Sequence, residues 1–154
     1  MKRMVVAAVD DAHELIEQYY RAQGEFLRGN PEPVKDLFSH TEDVSLANPN
    51  GPPVRGFDEV AKAVEHAASL HSDGEFVEWQ IVAKYVTAEL AYVVQIERAE
   101  AKVGAREEIT PIAVRATMNF RPEEDGKWKI VHRHSDPITT PQPAESVIQE
   151  EPHP

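Results

Sequence analysis

The period of the hydrophobic pattern changes once along the chain, at Gly74. Before this point apolar residues recur at helical spacing, as Leu15, Tyr19, Ala22 and Phe26 do. After it, apolar and polar residues alternate, which is typical of strands with one buried face. Helices that precede a run of sequential strands predict an α+β fold, in which the helices pack on one face of a curved antiparallel sheet.

Turn residues divide the two halves into elements. The first helix is predicted over 11–27 and is ended by Gly29-Asn30-Pro31, the second is short and begins at Pro31, and the third covers 58–70. Strands are predicted over 44–47, 76–85, 90–98, 109–121 and 128–135. Short turns between the last strands predict an antiparallel meander.

The chain is predicted to form one domain over 11–136, preceded by an N-terminal extension over 1–10. From Pro137 onward it holds five of the twelve prolines, three glutamates and no Lys or Arg. This Pro/Glu-rich segment, 137–154, is predicted to be a solvated tail.

Composition narrows the class of protein. The net charge of −11 argues against nucleic-acid binding, which needs clustered Lys and Arg to neutralise phosphates. The absence of cysteine excludes disulfides, thiolate zinc sites and a cysteine nucleophile. No apolar run is long enough to cross a membrane, and Asp10 and Asp11 interrupt the weakly signal-like N-terminus. A cytoplasmic protein that needs no cofactor is expected.

The last predicted strand carries two histidines. Strict alternation places Trp128, Ile130, His132 and His134 on one face. The two imidazoles could hold a metal, with Asp136 as third ligand, or perform acid–base work with His134 held by Asp136. They could also fix the strand end through hydrogen bonds. Strand fixation is the preferred alternative, and no metal site is predicted.

Four segments resemble a known family. They are 43–51, with its Asn-Pro-Asn-Gly turn, Val54-Arg55-Gly56 before a helix, 114–117, and the closing Gly-Lys-Trp-Lys-Ile-Val-His-Arg-His-Ser over 126–135. Together they are similar to the SnoaL-like branch of the nuclear transport factor 2-like superfamily. The ending is especially similar to the association domain of calcium/calmodulin-dependent kinases and its free-standing bacterial relatives. The resemblance covers about 11–136.

The resemblance implies a cystatin-like, cone-shaped α+β roll with a cavity between the helices and the concave face of the sheet. Relatives include isomerases, cyclases, dehydratases, transport factors and assembly modules, so the fold alone does not assign a function. In the steroid-isomerase relatives a carboxylate at the end of the first strand is the general base. The matching position here is Asn48, which cannot accept a proton, and this argues against that mechanism.

Arg115 matches an arginine that lines the pocket of the kinase association domains. It is expected either to pair with Glu97 or to receive a carboxylate. By alternation it shares a face with Thr117 and Asn119, and the sequence leaves open whether that face lines the cavity or a dimer interface.

Three functions remain open. The leading hypothesis is a binding domain for a small organic molecule, including one with a carboxylate, with Arg115, His132, Trp79 and Tyr92 as ligand-binding residues. The second is an enzyme in which His134 is the base and Tyr20 or Asn48 orients a carbonyl. The third is an oligomerisation module without a ligand.

Both faces of the sheet are apolar in sequence. Tyr92, Val94 and Ile96 oppose Ala91 and Val93 on one strand, so the face away from the helices also carries apolar side chains. An apolar face of this extent is rarely left in water. The sequence therefore predicts a homodimer formed through the sheet.

Overall fold

The computed structural model describes residues 2–150 and, from Val6 onward, their side chains. The helices are α1 (Lys2–Leu27), α2 (Glu32–Leu37) and α3 (Phe57–Ser69), followed late in the chain by a single 3-10 turn (Ala144–Val147). The strands are β1 (Ser45–Ala47), β2 (Val54–Arg55), β3 (His71–Val86), β4 (Ala91–Val103), β5 (Thr110–Pro122) and β6 (Trp128–Asp136). No helix within 2–150 is long and apolar enough to span a bilayer.

The strands form one six-stranded sheet in the order β2-β1-β6-β5-β4-β3. Strands β3 to β6 are the predicted antiparallel meander, and β1 adds to the far side of β6 in parallel. The helices cover one face, here called the inner face; the opposite face is the outer face. The α+β fold predicted from the change of hydrophobic period, and the roll that the resemblance implies, are both confirmed.

The core lies between α1 and the inner face. Ile16 and Tyr19 of α1 pack with side chains that the alternation of β4, β5 and β6 turns inward. The fully buried inward residues are Val93, Met118, Phe120 and Ile130. These four side chains fill the space between α1 and the sheet at one end of the roll, and none of them is exposed to solvent. The cavity described below therefore lies toward the other end.

A β-bulge in β6 decides which residues of the last strand face inward. Phe120 pairs with Ile130, whereas Asn119 pairs with His132, so Val131 is an extra residue in the ladder. Beyond the bulge, Arg133 is buried and His134 is exposed. The prediction that the histidines share a face with Trp128 and Ile130 is wrong, because one bulge exchanges the faces of all residues that follow it.

Other differences lie at element boundaries. Helix α1 begins at Lys2 rather than at Asp11, and β2 has no counterpart in the sequence prediction. Bulges in β3, between Phe76 and Glu78 and between Ile81 and Ala83, break the single apolar row predicted for that strand. In the tail the structure describes an exposed 3-10 turn and irregular chain up to residue 150, and 151–154 lie outside the described residues.

Strand β3 passes very close to α1 at Gly74. A Cβ atom at this position would lie 2.6 Å from the Cβ of Leu27 and 2.9 Å from that of Ala101. Such distances are well inside van der Waals contact, so only glycine lets the strand approach the helix this closely. The residue at which the hydrophobic period changes is thus also a point of very close contact between sheet and helix.

Candidate functional site

A cavity of about 420 Å³ opens between the helices and the inner face. Its apolar wall comes from α1, α2, α3 and the inward residues of the sheet, and includes Phe26, Leu27, Val34, Val64, Phe76, Ala99, Ile112 and Val114. The loop after β1 contributes Asn48, Pro49 and Asn50. A volume of this size is typical of sites for small organic molecules.

The deep wall of this central cavity carries a buried ion pair. The guanidinium of Arg133 donates two hydrogen bonds to the carboxylate of Glu97, Nη1 to Oε2 and Nη2 to Oε1, both at 2.8 Å. Only 7% of the Arg133 side chain and 2% of the Glu97 side chain are exposed. Both residues line the cavity. The site therefore contains a cation and an anion whose charges largely compensate each other.

A chain of hydrogen bonds connects this pair to α1. The Nε2 of Gln95 donates to Glu97 Oε2 at 2.7 Å, and the hydroxyl of Tyr20 donates to Gln95 Oε1 at 2.6 Å. The Arg133 guanidinium also lies over the ring of Tyr19, 4.9 Å from its centroid. Each buried polar group in this chain has a partner, which fixes the geometry of the wall.

The electrostatics follow from burial and from the pair itself. Burial alone would lower the pKa of Arg133, but Glu97 outweighs it and the net pKa is raised, so the guanidinium stays charged. Burial, assisted by Glu97, raises the pKa of Tyr20 above its ordinary value. Burial raises the pKa of Tyr19 as well. Both phenols therefore stay protonated at neutral pH and act as hydrogen-bond donors.

Two polar residues line the cavity nearer its opening. Asn48 is half-buried directly after β1 and lines the cavity. His71, the first residue of β3, is also half-buried and lines it, with its Nδ1 2.8 Å from the carbonyl oxygen of Ala67. The cavity thus combines a buried ion pair and an apolar wall with an amide and an imidazole that are only half-buried.

Of the residues singled out from sequence, Tyr20 and Trp79 lie together beside the deep wall. Their rings stack with centroids 3.4 Å apart, and Trp79 keeps 39% of its surface exposed. The Tyr20 hydroxyl is already bonded to Gln95. Trp79 therefore lies between Tyr20 and the solvent. Tyr20 in turn donates the hydrogen bond that holds Gln95 in the deep wall of the cavity.

Arg115, His132, His134 and Tyr92 lie on the outer face. Register places Tyr92 across from Asn119 and His132, and Arg115 across from Asp136. Their side chains point away from the helices, because Gln95, Glu97 and Arg133 occupy the alternate, inward positions. None of these four is among the residues that line the central cavity.

The outer-face groups have local partners. The Nε of Arg115 donates to Asp136 Oδ1 at 2.7 Å, and His134 Nε2 lies 3.5 Å from Asp136 Oδ2. Burial opposes ionisation of Asp136, but the Arg115 hydrogen bond and the Ile138 N–H prevail, and its net pKa is lowered. The alternative in which Arg115 pairs with Glu97 is wrong, because Glu97 faces inward to Arg133.

His132 forms a link between strands. Its Nδ1 lies 2.8 Å from the hydroxyl of Ser45 on β1. Burial lowers the pKa of His132, and the neighbouring His134 lowers it further. Among the described residues no group of three or more His, Asp or Glu side chains could hold a metal ion.

Sequence reasoning missed Arg133, Gln95 and His71. Along this part of β4, Arg98 and Glu100 are exposed, whereas Glu97 is buried. Two adjacent apolar residues, Ile130 and Val131, could have indicated the bulge, because alternation cannot place both inside. His71 carries no comparable signal, since it lies where helix becomes strand.

A family model described as SnoaL-like domain matches residues 12–139. The chain belongs to the SnoaL-like domain family. The resemblance seen in the closing and first-strand segments is confirmed by this match. No curated protein matches the chain in sequence.

Solved structures share the fold of this SnoaL-like domain at low identity. A candidate dehydratase of the NTF2-like family from Streptomyces avermitilis has a TM-score of 0.69 and 21% identity, covering 87% of this chain and 99% of that one. A ketosteroid isomerase-like protein from Erwinia carotovora atroseptica has a TM-score of 0.66 and 17% identity, covering 91% and 100%. A candidate calcium/calmodulin-dependent protein kinase type II association domain from Thiobacillus denitrificans has a TM-score of 0.60 and 19% identity, covering 81% and 93%.

Proposed function

We propose that this SnoaL-like domain binds a small, neutral and mainly apolar organic molecule in the central cavity. The observation that carries the proposal is the Glu97–Arg133 pair on the wall of an otherwise apolar cavity of about 420 Å³. Among the described residues, the Arg133 guanidinium makes no hydrogen bonds besides the two to Glu97. Its other N–H groups are donors for a carbonyl, ether or hydroxyl oxygen of the ligand.

Charge balance favours a neutral ligand over a carboxylate. Glu97 already compensates Arg133 through two short hydrogen bonds. A carboxylate in the cavity would add a second anion beside Glu97, and no further cation among the lining residues would compensate it. Arg115, for which the sequence suggests a role in binding a carboxylate, lies on the outer face and is paired with Asp136. We therefore propose a ligand with an uncharged acceptor oxygen.

A matched pair of fluorescent probes tests this proposal. Prodan is a neutral naphthyl ketone whose emission depends on the polarity around its carbonyl, and 6-(dimethylamino)-2-naphthoate has the same ring system with a carboxylate. We expect prodan to bind with blue-shifted emission and at least about tenfold more tightly than the carboxylate at pH 7. Absence of prodan binding would contradict the cavity proposal, and tighter binding of the naphthoate would contradict the neutral-ligand part.

Two isoleucine variants locate the binding site. Ile112 lines the cavity, whereas Ile109, just before β5, is 53% exposed and does not. Ile112→Trp fills part of the cavity and is expected to weaken prodan binding by at least about tenfold. Ile109→Trp adds the same side chain outside the cavity and should leave the affinity unchanged. Equal effects of the two variants would place the probe elsewhere.

We also propose that the domain forms a homodimer through the outer face. Support comes from Tyr92, Val94 and Ile96, which are only half-buried there, and from Tyr85, which stacks on Tyr92 and is 59% exposed. An apolar surface of this kind is typical of isologous contacts between two copies.

Sedimentation equilibrium tests the dimer. The wild-type chain is expected to be dimeric, and Val94→Glu, which places a charge in the centre of the outer face, is expected to shift it to monomer. Val147→Glu is the control, since Val147 is 86% exposed in the 3-10 turn. A monomeric wild-type protein would refute the proposal, and an oligomer larger than a dimer would favour an assembly role.

A further inference from the structure

His71 is held in one tautomer at the rim of the cavity. Its Nδ1 lies 2.8 Å from the carbonyl oxygen of Ala67, and a carbonyl can only accept a hydrogen bond. The neutral imidazole must therefore carry its proton on Nδ1, which leaves Nε2 as a free lone pair. The His71 side chain makes no other hydrogen bond within residues 2–150.

The surrounding structure keeps the ring in place. His71 packs against Phe26 of α1, with ring centroids 5.3 Å apart, and Phe26 also lines the cavity. In the sheet His71 pairs with Val103, another lining residue. The imidazole is thus fixed by a helix carbonyl on one side and an aromatic ring on the other, at the boundary between cavity and solvent.

Several charged groups on the elements around His71 are paired with one another, while Glu75 of β3, Glu100 of β4 and Asp58 of α3 are exposed. Asp73 of β3 binds Lys102 of β4 at 2.8 Å, Glu25 and Arg28 of α1 lie 3.2 Å apart, and Glu97 binds Arg133 at the deep wall. On α3, Glu59 pairs with Lys62 and Glu65 with Lys35, while His66 is exposed. The described residues include no charged group in hydrogen-bond contact with His71, so its Nε2 is not used by the fold.

We propose that His71 is the proton acceptor of the central cavity. It takes a proton from an O–H or acidic C–H of the bound molecule onto Nε2, forming an imidazolium that later returns the proton to product or water. The inference rests on the proposed binding function and adds a reaction class, proton transfer.

The Kemp elimination of 5-nitrobenzisoxazole tests for a base without knowledge of the natural ligand. A base removes the proton on C3, the C–N bond becomes a nitrile and the N–O bond breaks, releasing 2-cyano-4-nitrophenolate, which is measured by absorbance. His71→Asn keeps an N–H donor where Nδ1 stands and so preserves the bond to Ala67, but it has no basic nitrogen. His66→Asn removes an exposed histidine of α3 and is the control.

We expect wild-type kcat/KM to rise with pH, because only an unprotonated imidazole can accept the substrate proton. His71→Asn should lower kcat by about 10²-fold and abolish this pH dependence, with prodan affinity unchanged. His66→Asn should match the wild type. Equal rates for wild type and His71→Asn, with prodan still bound, would overturn the proton-transfer inference alone. Failure of the wild-type protein to bind prodan would instead overturn the proposed binding function.

Discussion

The Glu97–Arg133 pair on the cavity wall allows a test of how burial changes the contribution of an ion pair to stability. The same chain contains a second pair of similar geometry that is exposed to solvent. Arg121 donates to both oxygens of Asp43, at 2.6 and 2.9 Å, which is the same bidentate geometry as Arg133 on Glu97. Exposure separates the two pairs. The Arg121 and Asp43 side chains are 32% and 52% exposed, against 7% and 2% for Arg133 and Glu97.

The perturbation is Glu97→Gln, which preserves shape and removes the charge. Glu97 accepts two N–H groups from Arg133 and one from Gln95. Glutamine has only one side-chain oxygen, so its amide N–H₂ group must face a donor that Glu97 previously accepted from. In addition, Arg133 remains buried without a counter-charge. Breaking a buried pair in this way costs about 3–5 kcal/mol. For a domain of this size that lowers Tm by about 6–20 °C.

Asp43→Asn is the matched control. It removes one charge from an exposed bidentate pair, which contributes only about 0.2–1 kcal/mol. The double variant Glu97→Gln with Arg133→Met leaves no unpaired charge and should recover a large part of the lost stability. Urea unfolding at pH 7, followed by tryptophan fluorescence and far-UV circular dichroism, measures all of these variants.

Near-equal losses of unfolding free energy for Glu97→Gln and Asp43→Asn would refute the reasoning. They would mean that water solvates the buried Glu97–Arg133 pair as well as it solvates the exposed Asp43–Arg121 pair. A double variant less stable than Glu97→Gln would also contradict it. In that case the packing of Arg133 on Tyr19, rather than charge compensation, would be the main contribution.

Three further predictions concern the frame around the site. Gly74→Ala should lower the unfolding free energy, measured with urea, by about 1–3 kcal/mol, because the added methyl group overpacks the contact with α1. Gly51→Ala should be nearly neutral, because a Cβ at that position meets nothing within 4 Å. Tyr20→Phe should cost about 1–3 kcal/mol by the same measurement, because it leaves the buried Gln95 oxygen without its donor. The pKa of His132 is lowered in the folded state, so unfolding free energy should fall as pH drops below about 6.5. His132→Gln should weaken that pH dependence, and an unchanged slope would contradict the assignment.

The sequence predicts the order of elements well because period and turn residues are local properties. Helices before Gly74, a meander after it and a strand at 44–47 are all observed within a few residues of their predicted bounds. The beginning of α1 at Lys2 is the exception, because the sequence prediction starts the helix at Asp11, whereas the helix runs through Asp10 and Asp11. Their side chains remain at least partly exposed there, which lets the helix continue through them.

The cavity residues are harder to predict because they depend on register. Strict alternation in β6 places the histidines inside and Arg133 outside, and the bulge at Val131 reverses both assignments. Asn48 lines the cavity at the position that the resemblance gives for the end of the first strand. The sequence leaves the face of Arg115 open, because that face follows from the pairing of β5 with both neighbours rather than from any local pattern.

The bulge at Val131 also suggests how such a cavity can change its chemistry. The residues from His132 to Asp136 form two alternating sets, one with a guanidinium and one with two imidazoles. The number of residues that precede them in the strand selects which set faces the helices. Gain or loss of one residue that moves the register would therefore replace the charge-compensated wall of the cavity with a titratable one, without altering any of these side chains.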